Sequence, residues 1–420
     1  MMFPRLERPA QRPPGLRAML ADFGPAYAVN GFVGFLFAAT APVAIILSVG
    51  TGAGLREAEL ASWIFGVFFV NGLITILFSW MYRLPLAFFW TIPGTVLVGK
   101  ALGHATFAEV VGAYFATAAL MLALGASGWV KRWMQAVPMP IVMGMVAGVF
   151  LRFGLDLVRA LDADVVIAAP MVAAFVALSA WPALGRKLPP MIGALLAGVI
   201  AGAAAGRFDA AALGSFELVR PVLQMPAWSA ATMIELVVPL AITVLVVQNG
   251  QGYAVLGAAG HEPPIDAITV ACGVGAVASA LVGAISTCLT GPTNAIITSS
   301  GERSRHYTGA IFTGVLAIGF GLFSPAFTRA MLAAPRAFVM ALAGLAMLRV
   351  LQASFSTAFG GRFSLGALVA LLVTVADLGL FNVGAAFWGL VTGFAVSALL
   401  ERRDFAAQAA ASAPTLARRP

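Results

Sequence analysis

Two short runs set hydroxyls, glycine and proline inside otherwise apolar sequence: Thr91-Ile92-Pro93-Gly94-Thr95 and Thr290-Gly291-Pro292-Thr293-Asn294. Proline is tolerated in the first turn of a helix, where its missing N–H would be unpaired anyway. Pro93 and Pro292 therefore predict helices that start in mid-segment, with Leu86–Thr91 and Ile285–Thr290 extended ahead of them. Each would be a half-helix of about ten residues, roughly 15 Å at 1.5 Å per residue. Broken backbone at that depth is tolerated only inside protein or beside a cavity. Helix N-termini present free N–H groups and about half a positive charge, so an anion, above all a carboxylate, is the natural guest. Thr91, Thr95, Thr290, Thr293 and Asn294 add neutral donors without a competing counter-charge, while Gly94 and Gly291 flank the prolines. The alternative is a pair of proline kinks that only pack.

Other residues bear on the same place. Phe88, Phe89 and Trp90 lead into the first break, and Phe32, Phe35 and Phe37 lie in the first apolar segment. Their rings offer flat apolar walls to a flat ligand, or simply face lipid. Gln248, Asn249 and Gln251 (VVQNGQGY) put three amides in one apolar helix. Such groups face a wet cavity or glue helices together. Among the acidic residues at span edges (Glu109, Asp156, Glu235, Asp266, Asp377), Glu235 and Asp377 are the candidates for coupling to a proton; each could equally cap a span.

Other motifs carry no chemistry. GTVLVGKA at Gly94–Ala101 imitates a phosphate loop, but Ala101 stands where magnesium needs a hydroxyl. His104, His261 and His306 are dispersed over loops, so no metal site is expected, and neither HExxH nor GxSxG occurs. Cys272 and Cys288 lie in apolar segments and read as buried free thiols. Gly198, Gly202 and Gly206 form a small-residue run that lets helices approach. No cofactor is implied.

The elements that must position these residues follow from composition. Of 420 residues 61% are hydrophobic and 10% charged, against about 25% charged in soluble domains. A helix needs about 20 apolar residues to cross a bilayer. The chain is thus an all-α polytopic membrane protein, and a soluble enzyme, a disordered chain and a coiled coil are excluded. Fourteen segments are placed at about 27–48, 60–80, 84–103, 107–127, 138–158, 164–181, 188–206, 229–256, 264–284, 286–302, 307–325, 335–355, 363–377 and 380–400. Ser127–Val137 reads as an interfacial helix.

The net charge of +8 forms no basic stripe, so nucleic acid is not a partner; the bilayer is. Of 25 Lys and Arg, 16 fall in the tails and even-to-odd loops and 7 in the opposite loops; Arg152 and Arg349, near span ends, count for neither. Positive charge stays inside, so both termini are expected in the cytoplasm. The polar interval 207–228 divides the chain into spans at 26–206 and 229–400, with tails at 1–25 and 401–420. Seven plus seven spans make the second repeat inverted. PIVMGMVAGVFLR (Pro140–Arg152) against PRAFVMALAGLAMLR (Pro335–Arg349), and WTIPGT against LTGPTN, support the repeat.

The runs FLFAATAPVAIILSVGTGAGL, ASWIFGVFFVNGLITILFSW, PLAFFWTIPGTVLVGKALGH and QAVPMPIVMGMVAGVFLRFGLDL resemble the benzoate:proton symporter (BenE-type) family of bacterial inner-membrane proteins. The resemblance covers nearly the whole chain except the tails. It implies a core domain of spans 1–4 and 8–11, a gate domain of spans 5–7 and 12–14, and elevator-type transport. It also implies import of benzoate or a similar aromatic carboxylate with a proton. Gly94–Thr95 and Thr293–Asn294 would hold the carboxylate, Gln248 and Asn249 would add hydrogen bonds, and Phe37 and Phe89 would enclose the ring. Related uracil permeases carry glutamates where Gln248 and Pro292 stand here, which disfavours a nucleobase. Another anion, an anion channel and a homodimeric assembly stay open; a membrane enzyme is disfavoured.

Overall fold

Apolar sequence without a charged face forms helices that bury most of their circumference against one another. The structure, a computed structural model, describes residues 6–130, 138–185, 188–207, 217–299, 301–377, 380 and 385–412. The first half contains α1 (Leu16–Asp22), α2 (Pro25–Ala39), α3 (Ala41–Gly52), α4 (Glu57–Phe65), α5 (Asn71–Tyr82), β1 (Phe88–Trp90), α6 (Ile92–Ala101), α7 (Phe107–Ser127), α8 (Met139–Ala163), α9 (Val165–Ala180) and α10 (Pro190–Ala204). The second contains α11 (Ala230–Ile242), α12 (Asn249–Ala258), α13 (Ile265–Ala280), β2 (Thr287–Leu289), α14 (Gly291–Ile297), α15 (His306–Leu322), α16 (Ser324–Leu332), α17 (Arg336–Phe359), α18 (Ser364–Ala376), α19 (Ala385–Leu400) and α20 (Arg402–Ser412). Most of the expected interfacial helix, 131–137, lies outside the described residues.

Among the described residues six stretches are long and apolar enough to cross a bilayer: Pro25–Gly52, Glu57–Tyr82, α7, α8, Ala230–Ala258 and α17. A 68° bend joins the stretch ending in α15 to α16, making a seventh; helices α9, α10, α13, α18 and α19 are shorter and apolar. Three of the long stretches are not plain α-helix. The first is interrupted at Thr40, ahead of Pro42. In the second, Gly66–Val70 form a π-helical turn; a Cβ at Gly66 would lie 2.4 Å from Ala284 Cβ, so only glycine allows that approach. In the fifth, Thr243–Gln248 form another π-helical stretch, just after Pro239. Such inserted turns re-aim the side chains that follow and recur at functional sites.

Helices α8 and α17 pack along each other, flanked by α18–α19 and by α9–α10. Their contact is close: a Cβ at Gly344 would lie 2.6 Å from Leu157 Cβ. Helices α7 with α13, and α15 with α2 and α5, form the other body of the molecule. Trp63, Phe68, Tyr114, Phe150 and Phe338 are fully buried between and within these groups.

The connections are ordered by their backbones. Segment 217–229 is extended and laced down by Val219 N to Leu322 O, Gln224 N to Leu281 O and Ala227 N to Ala108 O, at 2.9 Å each. The N-terminal segment crosses helix ends: Trp80 Nε1 donates to Pro14 O and Tyr82 Oη to Glu7 O. Glu7 accepts the Asp266 and Ala267 N–H groups at the start of α13. Glu401 does the same for Leu365 and Gly366 at the start of α18.

Candidate functional site

The two Thr-x-Pro runs meet at the centre of the molecule. Strands β1 and β2 pair antiparallel, Phe88 with Leu289, Phe89 with Cys288 and Trp90 with Thr287. Thr91 N donates to Ser286 O at 3.3 Å and Thr290 N to Ala87 O at 3.1 Å, so the extended backbone is satisfied on both sides. Helices α6 and α14 then start with the same construction. Thr91 is the N-cap of α6 and accepts Gly94 N at 3.1 Å; Thr290 is the N-cap of α14 and accepts Thr293 N at 3.4 Å. Pro93 and Pro292 occupy the second helical position of each. Of the first three backbone positions only Ile92 N and Gly291 N keep a donor with no partner among the described residues. The expectation of several free donors per helix is thereby reduced to one each.

A pocket opens against these starts. It is lined by Phe37, Ala38 and Pro42 from α2 and α3, by Phe89, Trp90, Ile92 and Pro93, by Thr290, Pro292 and Thr293, and by Val247, Gln248 and Gln251. Phe150 of α8 and Met347 of α17 complete it. Its volume is about 50 Å³. Several donors face this space unspent. Gln248 (6% exposed), Gln251 and the Thr293 hydroxyl (residue 1% exposed) have no hydrogen-bond partner among the described residues. Trp90 Nε1 is buried and likewise unpartnered. Neutral donors in an apolar chamber cost free energy until they are bonded, and here no acidic side chain lines the pocket.

The remaining residues singled out from the sequence are committed to the scaffold. Asn294 accepts Ala87 N at 3.0 Å and donates to Ala87 O and Thr290 O. Asn249 accepts Leu289 N at 2.8 Å. Thr91 Oγ1 donates to Thr243 Oγ1 at 3.0 Å, and Thr95 Oγ1 to Thr91 O at 3.0 Å. Gly94 and Gly291 pack tightly: a Cβ would lie 2.5 Å from Thr91 Cγ2 and 2.8 Å from Gln251 Cβ respectively. Glu235, 5% exposed in α11, pairs with His104 Nε2 at 2.8 Å. Asp377, its side chain 69% exposed beyond α18, pairs with Lys100 at the end of α6 at 2.8 Å. Neither carboxylate lines the pocket. His261 and His306, dispersed in sequence, come together with ring nitrogens 3.2 Å apart. Burial and the neighbouring His306 push His261 down to about 4. Among the described residues no three His, Cys, Asp or Glu cluster as for a metal. Cys272 and Cys288 are free and buried.

Sequence reasoning missed Ala38, Pro42, Phe150 and Met347 as walls. A signal existed for the last two: each stands two residues before the arginine that closes the Pro140–Arg152 and Pro335–Arg349 repeat.

Apolar helices long enough to cross a bilayer, packed around a buried strand pair with a donor-bearing pocket beside it, make this a multi-pass membrane protein. The family described as Benzoate membrane transport protein matches residues 21–399, and the chain belongs to it. The inner membrane protein YdcO of Escherichia coli (strain K12) is 29% identical over 380 residues, covering 89% of this chain and 95% of its own. The benzoate membrane transport protein of Acinetobacter baylyi is 24% identical over 385 residues, covering 90% and 96%. The transmembrane domain of a cyanobacterial bicarbonate transporter, BicA, shares the fold at TM-score 0.62 and 15% identity, over 91% of this chain and 99% of that one. Murine Slc26a9, an anion transporter solved in the inward-facing state, does so at TM-score 0.63 and 13% identity, over 92% and 70%.

Proposed function

We propose that the chain imports benzoate or a similar aromatic carboxylate across the bacterial inner membrane by proton symport. The observation that carries this reading is the pocket: unpartnered neutral donors on one side and aromatic and aliphatic walls on the other. The carboxylate would be held by Thr293, Gln248 and the N–H groups of Ile92 and Gly291, at the starts of α6 and α14. Phe37, Phe89 and Phe150 would enclose the ring. Thr91, Pro93, Gly94, Thr95, Asn249, Gly291, Pro292 and Asn294 would fix the geometry of those donors.

The architecture that would carry out this transport has fourteen spans in two inverted sets of seven. It counts Pro25–Gly52, Glu57–Tyr82, α6, α7, α8, α9, α10, Ala230–Ala258, α13, α14, α15 with α16, α17, α18 and α19, so that α6 and α14 are half-spans. Spans 1–4 and 8–11 form the core and the rest the gate, with both termini cytoplasmic. The pocket lies where core side chains meet Phe150 and Met347 of the gate, a placement that suits an elevator displacement of one against the other. An anion entering alone works against about 2.3 kcal/mol per 100 mV, and one accompanying proton cancels that term. Glu235 is the stronger coupling candidate, buried and bonded to His104; it precedes Gln248 by thirteen residues, about 20 Å along the helix, so it acts on the pocket through the helix and not by contact.

Uptake of labelled benzoate into proteoliposomes, with and without an inward proton gradient, tests the reading. Saturable accumulation that a protonophore collapses is expected, and Glu235→Gln should abolish accumulation while leaving benzoate exchange intact. Uptake indifferent to the gradient would refute symport. Non-saturating flux would indicate a channel, and no uptake by folded protein would refute benzoate as the substrate.

A further inference from the structure

Arg152 and Arg349 stand near the middle of two long helices. Helix α8 runs thirteen residues before Arg152 and eleven after it; α17 runs thirteen before Arg349 and ten after. Both helices continue past the ends expected from sequence, which places these arginines near the middle of their helices and not at the ends. Charge at mid-depth is costly in hydrocarbon and is kept where it meets water or a partner. Both close the repeated Pro…Ala-Gly…Leu-Arg run, and both follow a pocket-lining residue, Phe150 or Met347, by two positions. Residues two apart on a helix point to different sides, so each arginine stands outside the pocket whose wall its helix supplies.

Arg349 lines a separate cleft of ≈ 660 Å³ together with Asn30, Phe37, Thr40, Met191 and Ser299. Phe37 also lines the pocket, so the two spaces adjoin. The cleft is bordered by Gly185, which precedes Arg186 and Lys187, and by Ser299, four and six residues before Arg303 and Arg305; both loops are expected on the cytoplasmic side. The Arg349 guanidinium is exposed there; its one contact is a 3.4 Å bond to Gln352 Oε1. No carboxylate pairs with it among the described residues. Arg152, with its side chain 75% exposed, lies 3.8 Å from Asp156, which Arg159 also holds at 2.9 Å.

We propose that Arg349 is the landing point for the anionic substrate in the cytoplasmic vestibule, and that Arg152 is its repeat-related counterpart in the outer one. This rests on the carrier function proposed above. A cation in a cleft with low-dielectric walls raises the local concentration of anions. Lying outside the pocket, it does so without holding the substrate against release. An elevator movement that closes the cleft at Arg349 opens its counterpart at Arg152, so each arginine serves one face.

The test compares KM for labelled benzoate from each face of oriented proteoliposomes. Arg349→Gln should raise the cytoplasmic KM about fivefold, the scale of one unit-charge contact at about 4 Å in water, and flatten its dependence on salt. The outer KM should be unchanged, Arg349→Lys should restore the wild-type value, and Arg152→Gln should give the mirror result. Equal effects at both faces, or none, would overturn the proposal while wild-type uptake leaves the carrier reading standing. If the wild type carries no benzoate, a second measurement decides: a water-soluble arginine reagent applied from the cytoplasmic face should modify Arg349 and spare Arg152, as read by mass spectrometry. An Arg349 that resists the reagent faces lipid, and the proposal fails.

Discussion

Thr293 and Asn294 are neighbours in sequence with opposite commitments. The Asn294 amide is fully used by the backbone of Ala87 and Thr290, whereas the Thr293 hydroxyl faces the pocket without a partner. Asn294→Ala leaves the buried Ala87 N–H unbonded, a cost of about 1–3 kcal/mol. It should lower the melting temperature by a few degrees and reduce the yield of folded protein. Thr293→Ala should leave melting unchanged and raise KM for benzoate about tenfold, the loss of one hydrogen bond to a charged group. Thermal-shift and uptake measurements on the two variants separate the roles; equal melting losses would show Thr293 to be structural as well. The sequence marked both residues as donors because hydroxyl and amide types are visible there. It could not tell which was spent, since the Asn294 partner Ala87 lies 207 positions away.

The two helix starts show the same division at the scale of elements. Proline and glycine punctuate the chain locally, so the breaks before α6 and α14, and their extended lead-ins, were legible. The crossed pairing of β1 with β2 realises those lead-ins. What local pattern did not carry were the π-helical turns at Gly66–Val70 and Thr243–Gln248 and the bend between α15 and α16. These arise from tertiary packing, as at Gly66 against Ala284. Helix α20 was likewise unforeseen in the tail, where apolar periodicity is absent. Because Thr91 and Thr290 cap α6 and α14 in the same way, Thr91→Val and Thr290→Val should each cost about 1 kcal/mol of stability. Thr91→Val should cost more, since it also removes the bond that Thr91 Oγ1 donates to Thr243, which keeps only its own bond to Leu240 O. Serine at either position should restore most of the loss in a denaturation series, because it keeps the oxygen; failure of serine to rescue would mean that methyl packing and not the cap holds the helix start.

At the scale of the whole molecule the pocket depends on residues from both bodies, and this was the part least visible beforehand. Phe150 and Met347 become walls because α8 packs on α6 and α17 on α3. Among the described residues an ion pair also joins α6 to the end of α18. Lys100, at the end of α6, donates to Asp377 beyond α18 at 2.8 Å and approaches Thr374 O at 3.4 Å. In the proposed architecture both residues lie at the outer ends of their spans, so the pair would tie core to gate where an elevator movement would part them. An exposed pair contributes at most about 1 kcal/mol, which limits the effect to a roughly fivefold shift between conformations. Asp377→Asn should therefore increase labelling of a cysteine placed at Ala38, from the outer face, by no more than that factor. Exchanging the charges, Lys100→Asp with Asp377→Lys, should reverse the increase. The same variants distinguish a tether from a proton site: a tether leaves the gradient dependence of uptake intact, whereas a coupling carboxylate at Asp377 would lose gradient-driven accumulation and would not regain it when the charges are exchanged.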